Sequence, residues 1–163
     1  MNIFVLDFDI TCSVRNYVDS HVIKMQVETA QLLSTASYLG NPALQDEWKW
    51  YKPTHINHPC NIWARESLDN YNYLVNLMDK LGDEWRYRWK HNKIHSSFEK
   101  LQDMPTPSVF PKIGLTPFAI CCTGLDITSN NAVDCYRKYY ALNKTHIHKW
   151  KNRQPPTWLK DYA

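Results

Sequence analysis

The chain has 163 residues, of which 44% are hydrophobic and 21% charged, and its formal net charge is +3. That length and apolar content predict one globular domain with its own core, and they exclude a disordered chain. No apolar run approaches the roughly 18 residues of a membrane span, and the first residues lack the basic region and cleavage site of a signal peptide, so the expected compartment is cytoplasmic.

Residues 2–10 are β-prone through Ile3, Phe4, Val5, Phe8 and Ile10, and predict one short strand or extended segment. Within it, VLDFDIT carries the hydrophobic–D-x-D-x-T pattern of haloacid-dehalogenase-type phosphatases, with Asp7 first and Asp9 second. Such a phosphatase needs a parallel sheet, a later Lys and a second acidic pair, and none of these is legible downstream. Asp7 and Asp9 therefore read as turn caps, or as partners for Lys24 or a His.

A helix is expected over 17–38, free of Gly and Pro and stopped by Gly40, Asn41 and Pro42. A loop over 41–58, with Trp48, Trp50 and Pro53, leads to a second helix from Pro59 to about Lys80. Asn57 or His58 would cap it and Gly82 would break it. A third helix follows over about 83–101. Residues 103–117 hold Pro105, Pro107, Pro111 and Pro117 and read as extended coil, 118–128 as a short strand or turn. A fourth helix covers about 130–142, capped by Ser129 or Asn130, with a short one at 144–150. The fold class is mainly α, a single compact domain over 1–163.

The first helix carries the chemistry. His21, Lys24, Glu28, Gln31 and Thr35 recur at spacings of three and four, so they share one narrow sector of a helix that is otherwise apolar. Either that seam faces water or it lines a pocket. In a pocket, apolar neighbours push Glu28 toward neutrality while Lys24 pulls it back, which suits a general acid or base. Asp19 is placed to fix the tautomer of His21.

A second constellation is YKPTHINHPCNIWARESLDNY. His55, Asn57 and His58 approach a helix N-terminus, where free N–H groups favour phosphate. Trp63, Ser67, Asn70 and Leu74 share the following face, which either contacts a flat base or serves as cap and core. His55 and His58 have no further ligands at typical metal-site spacing, so neither a metal nor a cofactor is expected. Cys12, Cys60, Cys121, Cys122 and Cys135 form no C-x-x-C pair and read as buried thiols, with a disulfide or zinc site as the lesser alternative. The segment LTPFAICC over 115–122 reads as structural.

From Cys135 to Lys160 there are seven basic residues and no acidic one, interleaved with Tyr136, Tyr139, Tyr140, Trp150 and Trp158. Cations that follow phosphates among aromatics that stack on bases predict a nucleic-acid or nucleotide partner, with Lys149, Trp150 and Arg153 as contacts.

The D-x-H…E pattern of Asp19, His21 and Glu28 resembles the first helix of the T4-type pyrimidine-dimer DNA glycosylases (endonuclease V), where the catalytic Glu lies seven residues after the His. The C-terminal R-x-P-P-T-W-L-K-D-Y, Arg153 to Tyr162, is similar to that family's end. The chain also resembles uncharacterised bacteriophage proteins sharing K-P-T-H-x-N-H-P, L-T-P and H-x-x-K-W elements. The resemblance covers the first helix and the tail. It implies a small helical DNA-repair enzyme acting on the N-glycosidic bond of a damaged or modified nucleotide, with or without AP-lyase activity. That family forms its imine with the α-amine of a Thr exposed by removal of Met. Here residue 2 is Asn, and the arginines flanking the family's Glu correspond to Val27 and Gln31. The resemblance thus implies Glu28 as the central catalytic group, with Lys24 as the amine if an imine forms. His21 and Asp19 would assist proton transfer, His55, Asn57 and His58 would hold phosphate or sugar, and Trp63 and Asn70 would meet the base. Two other functions fit the same residues: processing of free nucleotides or modified bases, and non-catalytic binding of nucleic acid or a host protein.

Overall fold

The computed structural model describes residues 1–44, 49–125 and 129–162, and all regular structure in it is helical. Helix α1 spans Ile10–Arg15, α2 Asp19–Gly40, α3 Pro59–Glu66, α4 Leu68–Trp89, α5 Ser96–Glu99 and α6 Ala132–Asn143. Short 3-10 turns lie at Pro42–Leu44, Thr145–Ile147 and Thr157–Tyr162. The mainly α class holds, and no helix among the described residues is long and apolar enough to cross a membrane.

Of the β-prone start, Ile3, Phe4, Val5 and Leu6 are buried and join no sheet among the described residues, whereas Phe8 is exposed and Ile10 opens a helix. Side chains satisfy the backbone of the buried stretch in place of a neighbouring strand. Ser13 Oγ accepts the Leu6 N–H at 2.9 Å, and the Tyr17 hydroxyl donates to the Phe4 carbonyl at 2.6 Å. Helix α1, absent from the sequence expectation, starts where Asp9 accepts the Cys12 N–H at 2.7 Å. Asp7 pairs with Arg137 of α6 at 3.0 Å, a cation other than the expected Lys24 or His.

Helix α2 runs through the middle and packs on α3, α4 and α5. Val22, Met25, Ala30, Leu32, Leu33 and Ala36 are buried, as its apolar faces require. It ends at Gly40 because the Pro-rich coil crosses there. A Cβ on Gly40 would stand 2.5 Å from Pro107 Cβ, and the Gly40 carbonyl accepts the Ser108 N–H at 3.0 Å.

The second and third expected helices are cut differently. The break falls at Ser67, whose extended backbone ends α3 while its hydroxyl accepts the Asn70 N–H and caps α4. Gly82, expected to be a breaker, lies inside α4, which ends only at Lys90 in the left-handed region with φ 57°. A lone glycine costs a helix about 1 kcal/mol, too little to stop one that buries Leu77, Met78, Leu81 and Trp85 on the core. Of the expected 83–101 helix, the stretch beyond Trp89 keeps only α5. Asn131, not Ser129 or Asn130, caps α6. Trp48 and the end of the 118–128 segment lie outside the described residues.

One buried ionic cluster ties the C-terminal segment to the bundle. Arg88, fully buried, bonds Glu84 at 2.7 Å, Asp19 at 2.9 Å and the Arg15 carbonyl at 3.0 Å. Asp19 also accepts the Lys151 N–H at 2.9 Å, and Glu84 accepts from Arg153 at 2.8 Å. Burial alone would raise the Glu84 carboxyl, but its bonds to Arg153 and Arg88 outweigh that and hold it below its usual range.

Candidate functional site

A pocket of about 300 Å³ opens between residues 1–4, α2, the N-terminus of α3, residues 121–123 and α6. His21, Lys24 and Glu28 of the polar seam line it; Gln31 and Thr35 do not. Residues 1–4 close over the exposed end of that seam, which makes it a wall of a cavity.

Glu28 is the focus of the pocket. Lys24 Nζ stands 3.2 Å from Oε1, the Asn2 N–H donates to Oε2 at 3.0 Å, and the α-ammonium of Met1 lies 3.8 Å from Oε2. The side chains of Glu28 and Met1 are 13% and 2% exposed, whereas that of Lys24 is 66% exposed. One carboxylate thus meets two amines, one at the chain start and one on a side chain. Such a group can accept a proton from an amine or from water, and can stabilise positive charge developing beside it.

His21 forms the pocket's inner wall. Its ring stacks on Phe4 at 4.5 Å with an interplanar angle of 5°, and Nδ1 bonds the buried Tyr140 hydroxyl. Burial, helped by Lys144 and Lys24, pushes its pKa down to about 4, so the imidazole is neutral at pH 7. The expected pairing with Asp19 does not occur. The Asp19 carboxylate turns to Arg88 and Lys151, and Tyr140 orients the imidazole in its place.

The second constellation divides. His58 caps α3, with the Cys60 N–H donating to Nδ1 at 3.2 Å, and it also lines the pocket. Burial lowers its pKa. His55, in the left-handed region at φ 48°, bonds the Thr54 hydroxyl, and His55 and Asn57 are both exposed outside the pocket lining. Trp63 is core: it packs on Tyr73 and Phe118, and its indole N–H donates to the Thr116 carbonyl at 3.4 Å. Ser67 is a buried cap. Asn70 spends its amide N–H groups on the Trp63 carbonyl and the Thr116 hydroxyl, both at 2.7 Å, and its oxygen on the Thr116 N–H. With those bonds made, the face expected to meet a base serves to clamp the 115–117 turn onto α3 and α4.

The basic segment is partly consumed by the fold. Arg137 holds Asp7 and the Leu6 carbonyl, and Arg153 holds Glu84 and lies over the Tyr87 ring at 3.9 Å. Trp150 donates to the Asn16 carbonyl at 3.0 Å. Lys149, Lys151 and Lys160 are exposed, while Lys144 lies over Tyr139 at the pocket.

Sequence reading missed the residues brought in from separate segments. Asn2 is locked by the Tyr136 hydroxyl at 2.7 Å and by the Cys121 carbonyl at 3.0 Å. Phe4, Met25, Cys121, Thr123, Tyr139 and Lys144 complete the lining; Tyr139 and Lys144 lie in the basic, aromatic segment that the sequence singled out for a different, nucleic-acid face. No spacing signals them, since each stands near the others only after folding. A second cavity of about 260 Å³, under Leu33, Tyr71, Val75, Met78 and Phe98, is apolar and lacks a comparable charged group. No protein family, curated protein or solved structure matches the chain.

Proposed function

We propose that this protein acts on the N-glycosidic bond of a nucleotide in DNA, with Glu28 as the central catalytic group. The observation that carries the reading is the single carboxylate held in a pocket between two amines, the α-amine of Met1 and Lys24. At the sugar, the anionic Glu28 would stabilise the oxocarbenium-like C1′ or take a proton from the attacking amine or water. The pocket's about 300 Å³ suits one extruded nucleotide, which leaves its stack at a cost of roughly a few kcal/mol. Lys24, Lys144 and the neutral His21 and His58 surround that space with donors for phosphate and base.

Borohydride trapping on abasic-site DNA tests the amine. Trapping lost in Lys24→Ala assigns Lys24, and trapping that survives it but is lost after α-amine acetylation assigns residue 1. Turnover without trapping assigns water as the nucleophile. Duplex affinity should fall steeply with salt, by a log–log slope of about −0.9 per phosphate contacted. Unmeasurable DNA binding at low salt removes this reading.

One observation favours a second reading, an enzyme on free nucleotides or modified bases. Arg137 and Arg153 are committed to Asp7 and Glu84, which leaves a smaller basic face than the sequence promised. A nucleotide and modified-base panel with wild type and Glu28→Gln separates the two.

A further inference from the structure

We propose that His58, Cys60 and Cys121 form a binding site for one divalent ion of the zinc class, open to the pocket through its fourth coordination position. The three residues come from the cap and first turn of α3 and from the 121–123 segment, and their ligand atoms lie within 4.8 Å of one another. The two sulfurs are 3.6 Å apart. Two thiolates on a tetrahedral zinc, each at about 2.3 Å, stand about 3.8 Å apart, so that edge is already set. The widest edge of the triangle closes by about 1 Å on loading.

The donor set selects the ion. Two thiolates and an imidazole are soft to borderline ligands that suit zinc and exclude calcium or magnesium, which require oxygen. His58 Nδ1 accepts the Cys60 N–H, so the lone pair sits on Nδ1 and the hydrogen on Nε2. Ligation through Nδ1 would exchange that cap hydrogen bond for a metal bond. Binding converts two thiols to thiolates and releases two protons to solvent, so no oxidant or reductant is required.

The fourth position belongs to the pocket. Asn2 Oδ1 lies 3.8 Å from Cys60 Sγ, but it already accepts the Tyr136 hydroxyl at 2.7 Å and the Ile3 N–H at 2.8 Å. His58 and Cys121 both line the cavity that holds Glu28, so a water or a substrate atom completes the tetrahedron there. Three protein ligands plus an exchangeable fourth is the arrangement of reactive rather than purely structural zinc. The site does not depend on the N-glycosidic reading, and it is tested without substrate.

The full chain, reduced and stripped with chelator under anaerobic conditions, is titrated with Co²⁺. The expected result is one equivalent bound, with thiolate-to-cobalt charge-transfer absorption, intense visible bands of a tetrahedral ion, and displacement by Zn²⁺. Cys121→Ser, at a half-buried position, and His58→Asn, which keeps a capping oxygen, should each weaken binding by about tenfold or more. Cys12→Ser, at an exposed thiol outside the cluster, should leave it unchanged. Circular dichroism on each variant confirms that the fold is retained. Absence of the charge-transfer band in folded wild type overturns the proposal. So does equal loss in Cys12→Ser, or a reduced chain that takes up no metal and oxidises in air to a Cys60–Cys121 disulfide.

Discussion

The backbone N–H of Asn2 donates to the carboxylate of Glu28 at 3.0 Å, joining the start of the chain to the middle of α2. This bond places the first residues over the polar seam of α2 and turns a line of polar residues into one wall of a cavity. It also sets what can be removed from Glu28 without disturbing the fold.

Glu28→Gln keeps an acceptor for Asn2 and loses only the charge that faces Met1 and Lys24. The Lys24 side of that pair is mostly solvated, so the stability change should stay below about 1 kcal/mol. Turnover on the substrate found by screening should fall by about a hundredfold or more, because a neutral amide neither accepts the proton nor stabilises a cation. Thermal unfolding measured beside activity checks both; a fully active variant ends the assignment of Glu28.

His21 should make stability fall in acid. Its folded pKa of about 4 lies below the ordinary 6.5, so the unfolded chain binds the proton first. The contribution is complete above pH 6.5 and is lost progressively as pH drops toward 4. A gap of about 2.5 units corresponds to roughly 3 kcal/mol. Urea unfolding between pH 7 and pH 4.5 should show that slope in wild type and a shallower one in His21→Phe. Equal slopes would refute the buried, neutral imidazole.

Arg88→Met should be among the most damaging single changes. Arg88 is fully buried and neutralises both Asp19 and Glu84, so its loss leaves carboxylates in the interior with fewer partners. The expected cost is about 3–5 kcal/mol. Because Asp19 and Glu84 also hold Lys151 and Arg153, limited proteolysis should cut first near residues 149–153. Unchanged chemical denaturation would contradict this role.

The two helical glycines of the long helices should respond with opposite sign. At Gly40 an added Cβ meets Pro107 and the Phe110 ring at 2.5 Å and 2.9 Å, so Gly40→Ala should cost about 1–3 kcal/mol. At Gly82 a Cβ meets nothing within 4 Å and the backbone is helical, so Gly82→Ala should stabilise by about 0.5–1 kcal/mol. Denaturant midpoints of the two variants on either side of wild type would bear this out, and a shared direction would not.

Asn70→Ala tests whether that amide belongs to the fold or to a ligand. It removes a buried bond to the Trp63 carbonyl and part-buried bonds to both the hydroxyl and N–H of Thr116. A loss of about 2–3 kcal/mol is expected. A variant of wild-type stability whose only change is in substrate preference would restore Asn70 to base contact.

Local chemistry in the sequence determined that α2 forms, that its polar residues share one face, that Pro59 opens a helix and that the fold is mainly α. Spacing alone carries such facts, because helix periodicity and terminal caps act over three or four residues. Whether a face meets water, core or a cavity depends on what folds over it, and only the tertiary structure decided that. Residues 1–4 made the His21–Lys24–Glu28 seam a pocket wall, whereas Thr116 and Phe118 made the Trp63–Asn70 face part of the core. Arg88, from α4, drew Asp19 away from His21, and Tyr140, from α6, took its place. Cys60 and Cys121 are 61 positions apart, and their 3.6 Å approach has no trace in spacing, since it exists only where the 121–123 segment crosses the N-terminus of α3.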